Sequence, residues 1–187
     1  MNVLADFKSE EAPIRSEAAV LFEPRAKSFG KDHPLSRCQP MGIISADGSP
    51  FPFKIVQTPG QVIVFNELDG TYRQIYIDGR KHTPDPQPTW LGYPVGRWEA
   101  DTLVVDTVGF NDKSWLDALG HPHSEALHVT ERFHRRDFGH MDLQITIDDP
   151  KMYTRPFTIK YNQRLLPDTD ILENICTENE KDRTHLQ

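Results

Sequence analysis

Charges set among apolar neighbours are the first residues in this chain whose types and spacing suit chemistry. In ALHVTERFHR (126–135) the alternation puts Leu127, Val129, Glu131 and Phe133 on one side, so Glu131 falls where only apolar groups belong. In TYRQIYID (71–78) the same side carries Arg73, Ile75 and Ile77, which sends Arg73 inward. Asp106 sits between Val104 and Val108 in DTLVVDTVGF, where both faces are apolar and its side stays undecided. A buried charge costs several kcal/mol unless it is paired, so Arg73 and Glu131 invite two readings. They are either a structural ion pair or a pocket acid/base group beside an Arg that stabilises an oxyanion.

The chain has eight histidines, and five of them fall between 121 and 140. His121-Pro122-His123 places two imidazoles on one side of an extended segment, within reach of Asp112, Asp117 or Glu125 as orienting carboxylates. That suits general acid/base work by His121 or His123. A metal held by His121, His123 and Glu125 is the alternative. The spacing matches neither HExxH nor a zinc finger, so no metal is expected. Ser124 follows His123 without a GxSxG elbow, which speaks against a serine nucleophile. Trp90, Tyr93, Trp115, Tyr76, Asn111 and Asp112 form the candidate substrate-binding set, while Trp98 in VGRWE reads as core. No glycine-rich phosphate loop or dinucleotide fingerprint occurs, and no cofactor is expected.

The elements that must position these residues are mostly strands. Period-two alternation, rich in β-branched and aromatic residues, predicts strands at 52–57, 61–66, 71–78, 95–99, 101–110, 126–135, 140–149, 156–165 and 170–178. Short turns such as TPG, LDG and DFG link many of them, the pattern of an antiparallel meander. The fold expected is mainly β: a meander closing into a calycin- or lipocalin-like barrel, with a two-sheet sandwich as the other architecture. Residues 1–50 read as an arm packing on the barrel, with one short helix in AAVLFEPRAKSFG, and 51–187 as the barrel domain. Two connections exceed hairpin length, the proline-rich 79–94 and the histidine-bearing 111–125. Loops of that size commonly serve as lids, and both are expected at one mouth, where they would gather Trp90, Tyr93, Trp115, His121 and His123.

Lys and Arg number 21 against 28 Asp and Glu in 187 residues, a formal net charge of −7. An acidic chain is poorly suited to phosphate backbones, and no nucleic acid partner is expected. No stretch approaches the ~20 apolar residues of a membrane helix, and the first residues lack a signal-peptide pattern. The expectation is a soluble protein without membrane insertion, and a homodimer is left open. The two cysteines, Cys38 and Cys176, lie too far apart for a CxxC motif. They are either a disulfide, suited to an oxidising compartment, or two buried thiols.

PFKIVQTPG, RQIYIDGR, PTWLGYPVGRWEADTLVVDTVGFNDKSWLD, GHPHSEALHVTERF and RRDFGHMDLQITIDDP together resemble a widespread family of small, often exported bacterial β-rich proteins of uncharacterised function. The resemblance covers about residues 30–182. It implies a processed, periplasmic or secreted origin and a Cys38–Cys176 disulfide; without an export signal the chain would be cytoplasmic. The family more often has Gly where this chain has Ala100. The resulting expectation is a cofactor-independent acid/base enzyme, an isomerase, cyclase, lyase or hydrolase acting on a small apolar or aromatic molecule. In it Glu131, Asp106 or a loop histidine moves the proton and Arg73 stabilises negative charge. The alternatives are a barrel that binds a hydrophobic ligand without chemistry, and a metal-dependent hydrolase built on the His121/His123 loop.

Overall fold

The structure, a computed structural model, describes residues 1–8 and 10–177. Eight strands follow one another in a single sheet: β1 (Phe53–Thr58), β2 (Gln61–Asn66), β3 (Tyr72–Tyr76), β4 (Tyr93–Glu99), β5 (Thr102–Val108), β6 (His128–Arg135), β7 (His140–Asp148) and β8 (Phe157–Arg164). Spatial order equals sequence order, and the sheet curls into a half-barrel. No ladder joins β8 back to β1 among the described residues. The ninth expected strand is absent over residues 170–177, and its last residue, Glu178, lies outside the described residues.

Every neighbouring pair is antiparallel except β3 and β4, which run parallel and meet at Tyr76 and Val95. That one junction accounts for the long proline-rich connection. Parallel neighbours need a crossover that carries the chain back to the starting end, and a tight turn cannot do this. The connection runs back beside β5, where Thr89 bridges Phe110 in parallel register and the Asn111 amide donates to the Thr89 carbonyl at 2.7 Å.

The alternation of β6 and β7 holds in three dimensions. Val129, Glu131 and Phe133 on β6, and Leu143, Ile145 and Ile147 on β7, are buried, while the residues between them are half-buried or exposed. On β5 both faces are covered over Leu103–Val105, as its unbroken apolar run requires. Trp98 departs from the expectation of a core residue. It is 46% exposed, one residue before the end of β4, near the tip of the hairpin whose two turn residues are Ala100 and Asp101. In that hairpin Ala100 adopts φ +54°, a left-handed conformation that costs a non-glycine residue roughly 1 kcal/mol.

N-terminal residues and the loop after β5 pack together at one end of the half-barrel, Val3 on Asp117 and Gly42 on Ser114. Helix α1 (Ser16–Lys27) packs outside, and a short helix, α2 (Ile43–Asp47), enters the interior with all five residues buried. Ile43 and Ile44 join Val3 and Leu4 in the same core cluster as Val64, Ile75 and Ile145. Gly42 begins α2 at φ +86°, with the Ser114 hydroxyl where a side chain would stand. Cys38 and Cys176 are joined by a disulfide, their Cα atoms 5.5 Å apart. No helix among the described residues is long and apolar enough to cross a membrane.

Candidate functional site

Arg73 and Glu131 meet inside the curl. They come from β3 and β6, which have two strands between them in the sheet, so the pair spans the interior. The guanidinium binds the carboxylate in two-pronged fashion: Nη1 donates to Oε1 at 2.9 Å and Nη2 to Oε2. Both residues are buried, Glu131 completely. A third charge-bearing group, Asp47 at the end of α2, stands 3.7 Å from Arg73 Nη1. Burial and the neighbouring Glu131 push the Asp47 carboxyl well above the usual carboxylate range, against the pull of Arg73. One guanidinium balances one carboxylate, so the second acid keeps its proton. The arrangement is a neutral, sealed trio with no opening to a ligand.

The histidine loop lies at the same closed end and is locked into the body. Asp117 is its hub: Oδ1 accepts the backbone amides of Leu119, Gly120 and His121 at 3.0, 3.1 and 3.2 Å, and Oδ2 accepts Val3 N at 2.9 Å. His121 Nδ1 reaches the same Oδ2 at 2.6 Å, and its ring stacks on Phe22 of α1. Burial alone would raise the Asp117 pKa, but the hydrogen bonds from His121 and from the Val3 and His121 amides outweigh it and hold the carboxylate below its ordinary range. His123 pairs Nε2 with the Ser114 hydroxyl at 2.8 Å and Nδ1 with the Ser124 carbonyl at 3.2 Å. Nδ1 must donate to that carbonyl, so Nε2 is the acceptor and the hydroxyl donates. Burial keeps this imidazole below its usual pKa and therefore neutral. The Ser114–His123 contact resembles an activated hydroxyl, yet both groups are buried under α2 and its entry. His121 and His123 thus take separate partners and Glu125 is exposed; no group of three His, Cys, Asp or Glu among the described residues is arranged to hold a metal ion.

The other candidates scatter. Asp106 faces outward, bound by Arg97 at 2.7 Å, by Thr130 at 2.9 Å and by His128 at 3.2 Å. Burial would raise its pKa, but these hydrogen bonds lower it. Trp115 is buried beneath Arg25 and edge-on to His33. Tyr76 stacks under Arg80 on the outside, Trp90 is half-buried, and Tyr93 donates to the Gln87 carbonyl. Asn111 caps the start of the histidine loop through Lys113 N, and Asp112 is exposed.

A cavity of about 790 Å³ occupies the opposite end of the half-barrel. Its depth is walled by Val62, Val64, Ile75, Leu103 and Phe133, and its rim by Phe51, Ile55, Trp98, Phe138, Leu165 and Leu166. None of the residues singled out from the sequence as catalytic or substrate-binding lines it. The rim includes one imidazole, His140, whose Nδ1 lies 2.9 Å from Asp137 Oδ1. Phe133 and Met141 were legible as inward residues; their position at the open end was not, because alternation assigns a face and not a height. The rim residues Phe51, Phe138 and Leu166 stand in turns and segments without periodicity, and no pattern marked them; Leu165 closes the strand expected at 156–165, whereas β8 ends at Arg164.

Compared with known proteins, the chain matches no family model, no curated protein and no solved structure.

Proposed function

We propose that this half-barrel binds a small, mostly apolar molecule in its open end, in the calycin-like manner of a curled sheet holding one ligand in its mouth. The observation that carries the reading is the cavity itself. Its volume falls in the ~300–1,000 Å³ range of small-molecule sites, and its deep wall is entirely aliphatic and aromatic. The charged trio lies outside that wall, with Arg73 and Glu131 joined in a two-pronged pair, so its part is to hold the fold. The Cys38–Cys176 disulfide supports an oxidising compartment, periplasmic or extracellular.

The test is titration with an apolar naphthylamine probe, following both its emission and energy transfer from tryptophan. Saturable one-to-one binding is expected, with the transfer diminished in Trp98→Phe, since Trp98 is the tryptophan on the lining. Absence of binding, or transfer unchanged in Trp98→Phe, rejects the cavity as the site. Native mass spectrometry of the purified protein would reveal a retained occupant directly.

Acid/base catalysis on the bound molecule is the second reading, and it rests on the His140–Asp137 pair at the rim. A histidine held by a carboxylate is the form of a general base. Hydrolysis of p-nitrophenyl laurate above background, lost in His140→Ala while probe binding persists, is the outcome expected of an enzyme. Equal rates in the two proteins reject catalysis by His140.

A further inference from the structure

The rim carries a charge pattern that the deep wall lacks. The inward row of β6 reads Val129, Glu131, Phe133, Arg135, so Arg135 stands at the mouth with Phe133 separating it from the sealed ion pair. Its Nε and Nη2 donate to the carbonyls of Asp137 and Phe138 at 3.1 and 2.7 Å. Those acceptors are uncharged, so the guanidinium is oriented but not neutralised. Arg164 ends β8 as the register partner of His140; the inward row from Arg135 runs on through Met141 to Gln163, so Arg164 belongs to the outer row and lines the cavity only from the end of the sheet. Neither guanidinium has a carboxylate within salt-bridge distance among the described residues, whereas Lys54 on the same rim is matched by Asp170 at 2.8 Å; the other lining carboxylate, Asp101, meets only an imidazole, His134 at 3.3 Å. Lys54, Arg135 and Arg164 outnumber Asp101 and Asp170 on the lining, so the rim is net cationic in a chain whose total is −7.

Resting on the binding reading above, we propose that the ligand is an amphiphile with an anionic head: an apolar tail in the cavity and a carboxylate or similar oxyanion at the rim on Arg135 and Arg164. An uncharged apolar ligand would leave both guanidinia without a function, and a cationic head would face like charge. Both arginines are exposed, so the head stays hydrated and its contribution is modest and screened by salt. The negative total charge slows an approaching anion in general; the two arginines favour it only within about a Debye length of the mouth.

The experiment compares laurate, kept below its aggregation concentration, with lauryl alcohol, which has the same chain without the charge. Both are titrated by displacement of the naphthylamine probe at low salt and at ~1 M salt. Laurate is expected to bind about fivefold more tightly at low salt, and the preference should vanish at high salt. The double variant Arg135→Gln, Arg164→Gln should bring the two ligands within about twofold while leaving the alcohol's affinity unchanged. Arg164→Gln alone serves as the control for any disturbance of the β6–β7 turn, because it leaves the Arg135 contacts in place. Equal binding of the two ligands by the parent protein overturns the anionic head while the cavity reading stands. A laurate preference that survives both substitutions overturns the assignment to these arginines. If neither ligand displaces the probe, the cavity reading fails with it.

Discussion

Glu131→Gln and Asp47→Asn are expected to differ in sign at neutral pH, although both remove one carboxylate from the same buried trio. Glu131 carries the charge that balances Arg73, and truncating one member of a buried pair costs about 3–5 kcal/mol because the other is stranded. Here the cost should fall near the bottom of that range, about 3 kcal/mol, since Asp47 at 3.7 Å can give up its proton and take over as partner. Asp47→Asn replaces a carboxyl that is already neutral. Its folded-state pKa is raised above the ordinary 3.8, so its contribution to stability is fully present below that value and is lost as pH rises towards the raised one. Asn carries no such linkage, so the variant should match the parent near pH ~4 and exceed it increasingly at higher pH. The acid-side slopes from the lowered Asp106 and Asp117 are common to both proteins and cancel in the difference. In the double variant Arg73 has no anion left, and the loss should exceed the sum of the single effects by about 1–3 kcal/mol. Urea unfolding of the four proteins at several pH values measures this directly. Additive losses, or an Asp47→Asn difference that does not change with pH, would refute a shared proton at this site.

The inward turn of Arg73 and Glu131 was legible because strand alternation is local: a residue's face follows from its neighbours two positions away. The same rule located Phe133 and Met141 on the inner face and Asp142, Gln144 and Thr146 on the outer. Asp47 was not legible. It lies in a turn-rich stretch, MGIISADGSP, whose entry into the barrel depends on contacts with Arg73 and with Gln163, whose amide donates to the Asp47 carbonyl at 2.9 Å. Those partners are 26 and 116 residues away in the chain. The two long loops were recognisable as unusual from length alone, but length has more than one cause. One is the crossover that a parallel β3–β4 pair demands, and the other is anchored to the N-terminal residues through Asp117. Whether a loop covers a mouth or a base depends on which end each strand begins from, and a single parallel pair reverses that bookkeeping for everything after it.

Replacing both cysteines by serine should lower stability by about 2–4 kcal/mol and do so unevenly. The bridge closes a sequence separation of 138, for which loop-closure entropy alone gives a ceiling of about 5 kcal/mol. The measured value should fall below the ceiling because of what the bridge ties down. After β8 the chain runs as an extended strap from the rim towards β1 and the β2–β3 turn, held by the Lys54–Asp170 pair and by Leu172 N donating to Glu67 Oε2 at 2.8 Å. Leu172 and Ile175 are 72% and 50% exposed, so little apolar burial fastens it. Without the bridge the strap can leave while the sheet stays folded, which relieves part of the cost through local opening. It lies where no ladder joins β8 to β1, and Thr169, Asp170 and Ile171 form part of the cavity wall. Its release should therefore act on binding as well as on stability. In the Cys38→Ser, Cys176→Ser protein, limited proteolysis should cut first within 165–177, and affinity for the naphthylamine probe should fall severalfold while the far-ultraviolet dichroism of the sheet is retained. A strap that resists protease as in the parent, with probe affinity unchanged, would mean that the disulfide only decorates a closure held by other contacts. Loss of the sheet signal together with the strap would mean that strap and sheet unfold as one unit, and the stability loss should then approach the ceiling.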